Sequence, residues 1–155
     1  MLNRDFKEFA ESLAAQGVEY LLIGGYALAA HGHPRFTGDI DFWIGPDPSN
    51  IERLLLALQQ FGFGSLGLTA ADFSADSVVQ LGQPPRRIDL LTAIDGVQFD
   101  ACWSRRLTLS IDALTLNLIG LEDFVANKRA TGRMKDLADL ESLGLAAAIP
   151  PSKPS

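Results

Sequence analysis

The feature that most constrains how this chain can fold is an acidic strand, Asp39–Ile44, with the sequence DIDFWI. Side chains of a β-strand alternate between its two faces, so Asp39 and Asp41 share one face while the intervening apolar residues share the other. The Cβ atoms of two such residues lie roughly 6–7 Å apart, so both carboxylates can reach one cation. Carboxylate oxygens are hard ligands that suit Mg²⁺ or Mn²⁺. The stretch therefore predicts a buried strand that carries a metal site, and the alternative is a solvated strand at a sheet edge.

A third acid stands in a similar setting, within Arg87–Leu91 (RIDLL). Asp89 is the one acid in this apolar run, and aspartate is depleted in buried strands. If the two acidic strands are neighbours, Asp89 completes a site of three carboxylates. The alternative interpretation is a structural salt bridge between Asp89 and either Arg86 or Arg87.

A glycine pair, Gly24-Gly25, lies between a strand-like run at 18–23 and the helix-like segment YALAAHG. Glycine lets a backbone approach a ligand closely, and the first N–H groups of a helix attract anions. Arg35 and Thr37 lie in the link from that helix to the acidic strand, where an arginine can hold a phosphate and a threonine can orient it. An ordinary tight turn and a solvent-facing loop are the alternatives for these four residues.

The apolar periodicity predicts alternating helices and strands. We expect helices at 2–13, 26–32, 48–61, 121–131 and 134–143, strands at 18–23, 39–44, 78–81, 87–91, 97–99, 107–109 and 114–118, and an irregular glycine-rich loop at 62–75. This order predicts an α/β fold with a mixed β-sheet flanked by helices and closed by C-terminal helices. We expect one domain at 1–148 and a disordered tail at 149–155 (IPPSKPS).

Composition excludes some classes of function. The chain has 155 residues, 47% hydrophobic and 21% charged, with a net charge of −6. A dedicated DNA-binding surface is normally basic, so this balance argues against one and leaves room for a small nucleotide or one end of an RNA. The single cysteine, Cys102, and the lack of a signal-peptide pattern or a bilayer-length apolar run predict a cytoplasmic protein without a membrane partner.

Together, GGYALAAHGHPRFTGDID at 24–41 and RIDLL at 87–91 resemble the nucleotidyltransferase superfamily that includes DNA polymerase beta. More narrowly, they are similar to bacterial minimal nucleotidyltransferases and their abortive-infection toxin-like branch. The shared pattern is a glycine pair that opens a helix, an acidic D-x-D strand and a third acid on a later strand. Many members have glycine-serine at the glycine pair, whereas this chain offers only backbone amides there. The resemblance extends to the helical ending at 121–143.

The resemblance implies a two-metal transfer of a nucleoside monophosphate from a nucleoside triphosphate. Asp39 and Asp41 would bind two Mg²⁺ (or Mn²⁺) ions, and Asp89 would ligate the second ion and help to take the acceptor proton. The glycine pair and the link residues described above would contact the nucleotide. Lys128 and Lys135 would contact the triphosphate or an acidic acceptor, although Lys135 could instead form a surface ion pair one helical turn along.

The resemblance leaves the acceptor open. It could be an RNA 3′ end, a protein side chain or a small molecule, and the toxin-like branch implies a companion antitoxin. Two other interpretations remain: a noncatalytic nucleotide-binding or interaction module of the same fold, and an α/β protein whose buried acids pair with arginines.

Overall fold

A six-stranded mixed sheet in the order β3-β4-β2-β1-β6-β5 organises the chain. The computed structural model describes residues 4–31, 39–74, 76–111 and 113–142. The strands are β1 (Tyr20–Ile23), β2 (Asp39–Ile44), β3 (Val78–Leu81), β4 (Arg87–Leu91), β5 (Leu107–Ile111) and β6 (Leu114–Leu118). The helices are α1 (Arg4–Ala15), α2 (Gly24–Ala30), α3 (Pro48–Phe61), α4 (Phe99–Ser104), α5 (Leu121–Thr131) and α6 (Met134–Ser142).

The sheet mixes both strand directions. β1 pairs with β6 and β2 pairs with β4 in parallel, whereas the β1–β2, β3–β4 and β5–β6 pairs are antiparallel. Helices flank the sheet, and the predicted α/β fold is confirmed. None of the helices in the described part of the chain has the length and apolar character that a bilayer crossing requires.

Strand alternation divides the core into two apolar clusters. On one face, Ile40 and Phe42 of β2 join buried side chains of α1 and α3. On the opposite face, Trp43 packs with Phe99 of α4 and Phe124 of α5. The predicted alternation of DIDFWI is therefore present, and Asp39 and Asp41 share the face that α4 and α5 cover.

One predicted strand is wrong. The segment 97–99 is not a strand; its last residue, Phe99, begins α4, whose Phe99 and Cys102 are both buried. Burial at i and i+3 is a helical spacing, and Phe99 packs edge-on against Trp43 with ring centroids 5.2 Å apart. Three residues are too few to distinguish the strand periodicity from the helical one.

The loop predicted at 62–75 contains two short 3₁₀ turns, Gly64–Leu66 and Ala70–Phe73. The predicted tail at 149–155 lies outside the described residues.

A buried ionic cluster joins α5 to α6. Asp136, which is fully buried, accepts hydrogen bonds from Lys128 Nζ (3.0 Å), Thr131 Oγ1 (2.5 Å) and Arg133 Nε (2.7 Å). Burial alone would raise the pKa of Asp136, but the bonds from Arg133, Thr131 and Lys128 outweigh it and hold this pKa well below its ordinary value. The ionised carboxylate therefore fixes the two helices relative to each other.

Replacing Asp136 with asparagine should destabilise the fold. Asp136→Asn leaves the buried Lys128 and the exposed Arg133 without their counter-ion, so we expect a loss of about 3–5 kcal/mol in the free energy of unfolding, measured by urea denaturation. Because the folded-state pKa of Asp136 is depressed, its contribution is complete above the ordinary value of 3.8 and declines as the pH falls below it. The gap between wild type and Asp136→Asn should therefore narrow in acid. Glu141→Gln, an exposed change on the same helix, should cost little, and an equal cost for both variants would contradict the assigned role.

Candidate functional site

The parallel pairing of β2 with β4 brings the three predicted acids together. The register places Asp41 beside Asp89 and Asp39 beside Arg87, and alternation directs these side chains to one face of the sheet. One carboxylate oxygen from each aspartate lies within 4.8 Å of the others. Asp39 and Asp41 are partly buried, whereas Asp89 is only 7% exposed. Such close like charges require compensation by cations.

Arg87 supplies part of that compensation. Its Nε donates to Asp89 Oδ1 at 2.9 Å, and its Nη2 donates to Asp89 Oδ2 at 3.1 Å and also to Asp39 Oδ2. The hydrogen bond to Asp89 is the main reason that the pKa of the Arg87 guanidinium is raised. The salt bridge considered as an alternative for Asp89 is thus present alongside the three-acid cluster. Arg86, the other arginine considered, instead lies 3.6 Å from Asp5 at the surface.

The backbone at Gly24 lies directly against the acidic cluster. Gly24 has a φ of +71°, and a Cβ atom placed on it would lie 2.2 Å from Asp41 Oδ2. The left-handed backbone disfavours a side chain here, and an added Cβ would also require the Asp41 carboxylate to shift. Gly25 is the second residue of α2, so the glycine pair opens this helix, and Gly24 meets Asp41 of the acidic strand. Arg35 and Thr37, which were predicted to contact a nucleotide, lie outside the described residues.

A cavity of about 340 Å³ opens beside Asp41. One part of its wall is apolar and includes Ile23 and Leu91, at the ends of β1 and β4. Another part is cationic and includes Lys128 and Arg133. The predicted Lys128 therefore lines this cavity, while the side chain of Lys135, on α6, lies outside the described residues.

Sequence reasoning left two features of this region undetermined: which acid the glycine pair meets, and which partner holds Arg133. The contact between Gly24 and Asp41 depends on how β1 turns into α2, and a glycine pair signals only that some close approach exists. Arg133 and its partner Asp136 are separated from the acidic strands by more than forty residues, and their place follows from the way α6 folds back on α5. In the sequence, Asp136 is visible only as an acid in the first turn of α6. Acids in a first helical turn commonly interact with the helix dipole, so this position does not indicate an ion pair with Arg133.

Comparison with known proteins agrees with this fold. A family model described as "Nucleotidyltransferase of unknown function (DUF6036)" matches residues 2–150. A search of the curated proteins found no match. Among solved structures, the fold is similar to an antigenic nucleotidyltransferase-like protein from Paracoccidioides brasiliensis, with a TM-score of 0.55 and 18% sequence identity over 97% of this chain and 77% of that one. The resemblance inferred from the glycine pair and the acids is confirmed at the level of the superfamily: the chain belongs to this nucleotidyltransferase family.

Proposed function

We propose that this protein transfers a nucleoside monophosphate from a nucleoside triphosphate to a hydroxyl group, with Asp39, Asp41 and Asp89 as the ligands of Mg²⁺ or Mn²⁺. The observation that carries the proposal is the meeting of three carboxylate oxygens within 4.8 Å on two neighbouring parallel strands. Membership of a nucleotidyltransferase family supplies the reaction class.

The residues present fit a hard divalent cation. Among the described residues, the donor set consists of carboxylate oxygens, without the histidine or thiolate ligands that favour softer metals. Gly24 adds a second argument, because any side chain at this position would displace the Asp41 carboxylate. The backbone thus leaves Asp41 in place and leaves room beside it for a ligand.

Each residue of the cluster has a distinct task in this proposal. Asp39 and Asp41 hold the cations, and Asp89, the most buried of the three, helps to take the proton of the acceptor hydroxyl. When bound, the divalent cations orient the triphosphate and lower the pKa of that hydroxyl. Attack occurs in line at the α-phosphorus and pyrophosphate leaves. Positioning and charge neutralisation account for most of the catalysis in such chemistry.

The cavity beside Asp41 suits the nucleotide. Lys128 and Arg133 on its wall offer positive charge to a polyphosphate, and the apolar wall offers a surface to the uncharged part of the substrate. The backbone amides at Gly24-Gly25 add donors for phosphate. Arg35, Thr37 and Lys135 are further nucleotide contacts in this proposal, inferred from the sequence resemblance.

The acceptor is proposed from the resemblance to the toxin-like branch: an RNA end or a protein side chain, with an antitoxin as a companion protein. The net charge of −6 favours a short contact over a long nucleic-acid track. Incubating the protein with each labelled triphosphate, Mg²⁺ and a cell extract, and then locating the label, tests both the donor and the acceptor.

A second candidate function is a noncatalytic nucleotide-binding or interaction module. The observation in its favour is the salt bridge from Arg87 to Asp39 and Asp89, since an arginine can stabilise these acids without a metal. This alternative predicts nucleotide binding or partner binding without label transfer and without a requirement for a divalent cation.

Gly24→Ala should weaken metal binding through Asp41. Gly17→Ala is a matched control, because Gly17 has a similar φ of +67° but an added Cβ would meet nothing within 4 Å. Both variants should lose about 1–2 kcal/mol of stability from the left-handed backbone. Only Gly24→Ala should also weaken Mn²⁺ binding measured by calorimetry, because its Cβ displaces Asp41 Oδ2. Equal Mn²⁺ affinities in the two variants would remove Gly24 from the site.

Asp41→Asn should abolish transfer of label from the triphosphate while the protein stays folded, because it removes a charged ligand from the centre of the cluster. Asp100→Asn, at an exposed acid of α4, removes the same charge elsewhere and should leave transfer unchanged. Transfer is measured with labelled triphosphate, and folding by circular dichroism. Full activity in Asp41→Asn would rule the mechanism out.

Asp89→Asn should affect the rate of transfer and the affinity for triphosphate differently. If Asp89 serves the acceptor side, this variant should lower the transfer rate by about a hundredfold or more while triphosphate affinity changes little. Single-turnover kinetics and equilibrium binding of a nonhydrolysable triphosphate give the two quantities. Equal losses in rate and affinity would argue against the acceptor-side role.

A further inference from the structure

Four charged side chains form a compact square across β2 and β4. Asp39 and Asp41 occupy one strand, Arg87 and Asp89 occupy the other, and the register sets them side by side in two pairs. The three carboxylates carry three negative charges and the guanidinium carries one positive charge. The carboxylates of the square therefore carry more charge than the guanidinium compensates.

The guanidinium already uses oxygens that a cation needs. Arg87 donates to both oxygens of Asp89 and to Oδ2 of Asp39. A cation that binds Asp89 must therefore approach an oxygen that accepts a hydrogen bond from Arg87. Two positive charges on one carboxylate repel each other strongly at such distances, above all where one side chain is nearly buried.

On the basis of the metal site in the proposed function, we propose that Arg87 is a built-in counter-ion that the divalent cation displaces from Asp39 and Asp89. Arg87 then has two effects. It stabilises the acidic cluster when divalent cations are scarce, and it weakens cation binding because its ion pairs must first break. The cation affinity of the site is thereby set by Arg87 as well as by the three ligands.

Arg86 provides a matched comparison on the same segment. It carries the same charge and lies next to Arg87 in sequence, but its side chain is 70% exposed and is paired with Asp5 at 3.6 Å, not with the acidic cluster. Replacing either arginine with methionine changes the net charge of the protein equally. A difference between the two variants therefore reports the local contacts of Arg87.

The test is a Mn²⁺ titration of wild type, Arg87→Met and Arg86→Met by calorimetry, with melting curves in chelator. We expect Arg87→Met to bind Mn²⁺ about tenfold more tightly than wild type, because the competing charge is gone. In chelator its Tm should fall by about 3 °C or more, because the carboxylates lose their counter-ion. Arg86→Met should match wild type in affinity. Unchanged or weaker Mn²⁺ binding by Arg87→Met would overturn the proposal and make Arg87 a positioning residue for Asp89.

A second measurement follows the wild-type protein throughout the titration and uses a variant only to assign one signal. The NMR signal of the Arg87 Nε–H proton is assigned by its loss in Arg87→Lys. In chelator, this proton should have the chemical shift and the slow exchange with water of a hydrogen-bonded proton. Adding Mg²⁺ should shift this signal and speed its exchange with water as the bridge breaks. A signal that stays unchanged while Mg²⁺ saturates the site would overturn displacement.

The same titrations separate this inference from the proposed function. If wild type binds neither Mg²⁺ nor Mn²⁺ at the acids, so that Asp41→Asn changes nothing, the proposed function and this inference both fail. If wild type binds the cation through Asp41 but Arg87→Met binds it no more tightly, the inference alone fails and the metal site stands.

Discussion

The parallel pairing of β2 with β4, in one register, is the interaction on which the rest of the site depends. It sets Asp41 beside Asp89 while Ile88 and Leu90 point to the opposite face, where they are buried with α1 and α3. Because side chains alternate along a strand, a slip of one residue would send Asp89 into that apolar cluster and bring Ile88 to the acids. Burial of the apolar face therefore fixes the geometry of the polar one.

The negative charges of the three acids on β2 and β4 have to be compensated by positive charges within the fold. Asp89 is almost buried, and like charges at this spacing destabilise one another unless cations compensate them. Arg87 does so on one side of the cluster, and Lys128 and Arg133 line the neighbouring cavity. The latter two are themselves anchored by Asp136. Asp41 thus joins the acidic cluster to a cavity that basic side chains also line, and it lies against the backbone of Gly24.

The sequence predicted those parts of the fold that depend on local periodicity. The alternation of DIDFWI identified β2 and its acidic face, and the lone acid in RIDLL identified β4 as a related strand. The features that sequence reasoning did not predict depend on tertiary contacts. Phe99 is predicted in a strand because the segment 97–99 is too short to distinguish strand from helical periodicity, and its helix is stabilised by packing on Trp43. Whether Asp89 meets Arg87, the other acids or all of them depends on register, which propensity does not encode.

The two halves of the acidic cluster are distant along the chain, since Arg87 contacts Asp39 across 48 residues. Bringing these groups together costs an unfolded chain loop-closure entropy, so the complete set of ligands exists only after β2 and β4 have paired. Any ligand that binds only the complete cluster must then stabilise the native chain relative to the unfolded one, and the stabilisation grows with the logarithm of the ligand concentration above its Kd. The lifetime of this protein against proteolysis would consequently follow the supply of that ligand in its surroundings.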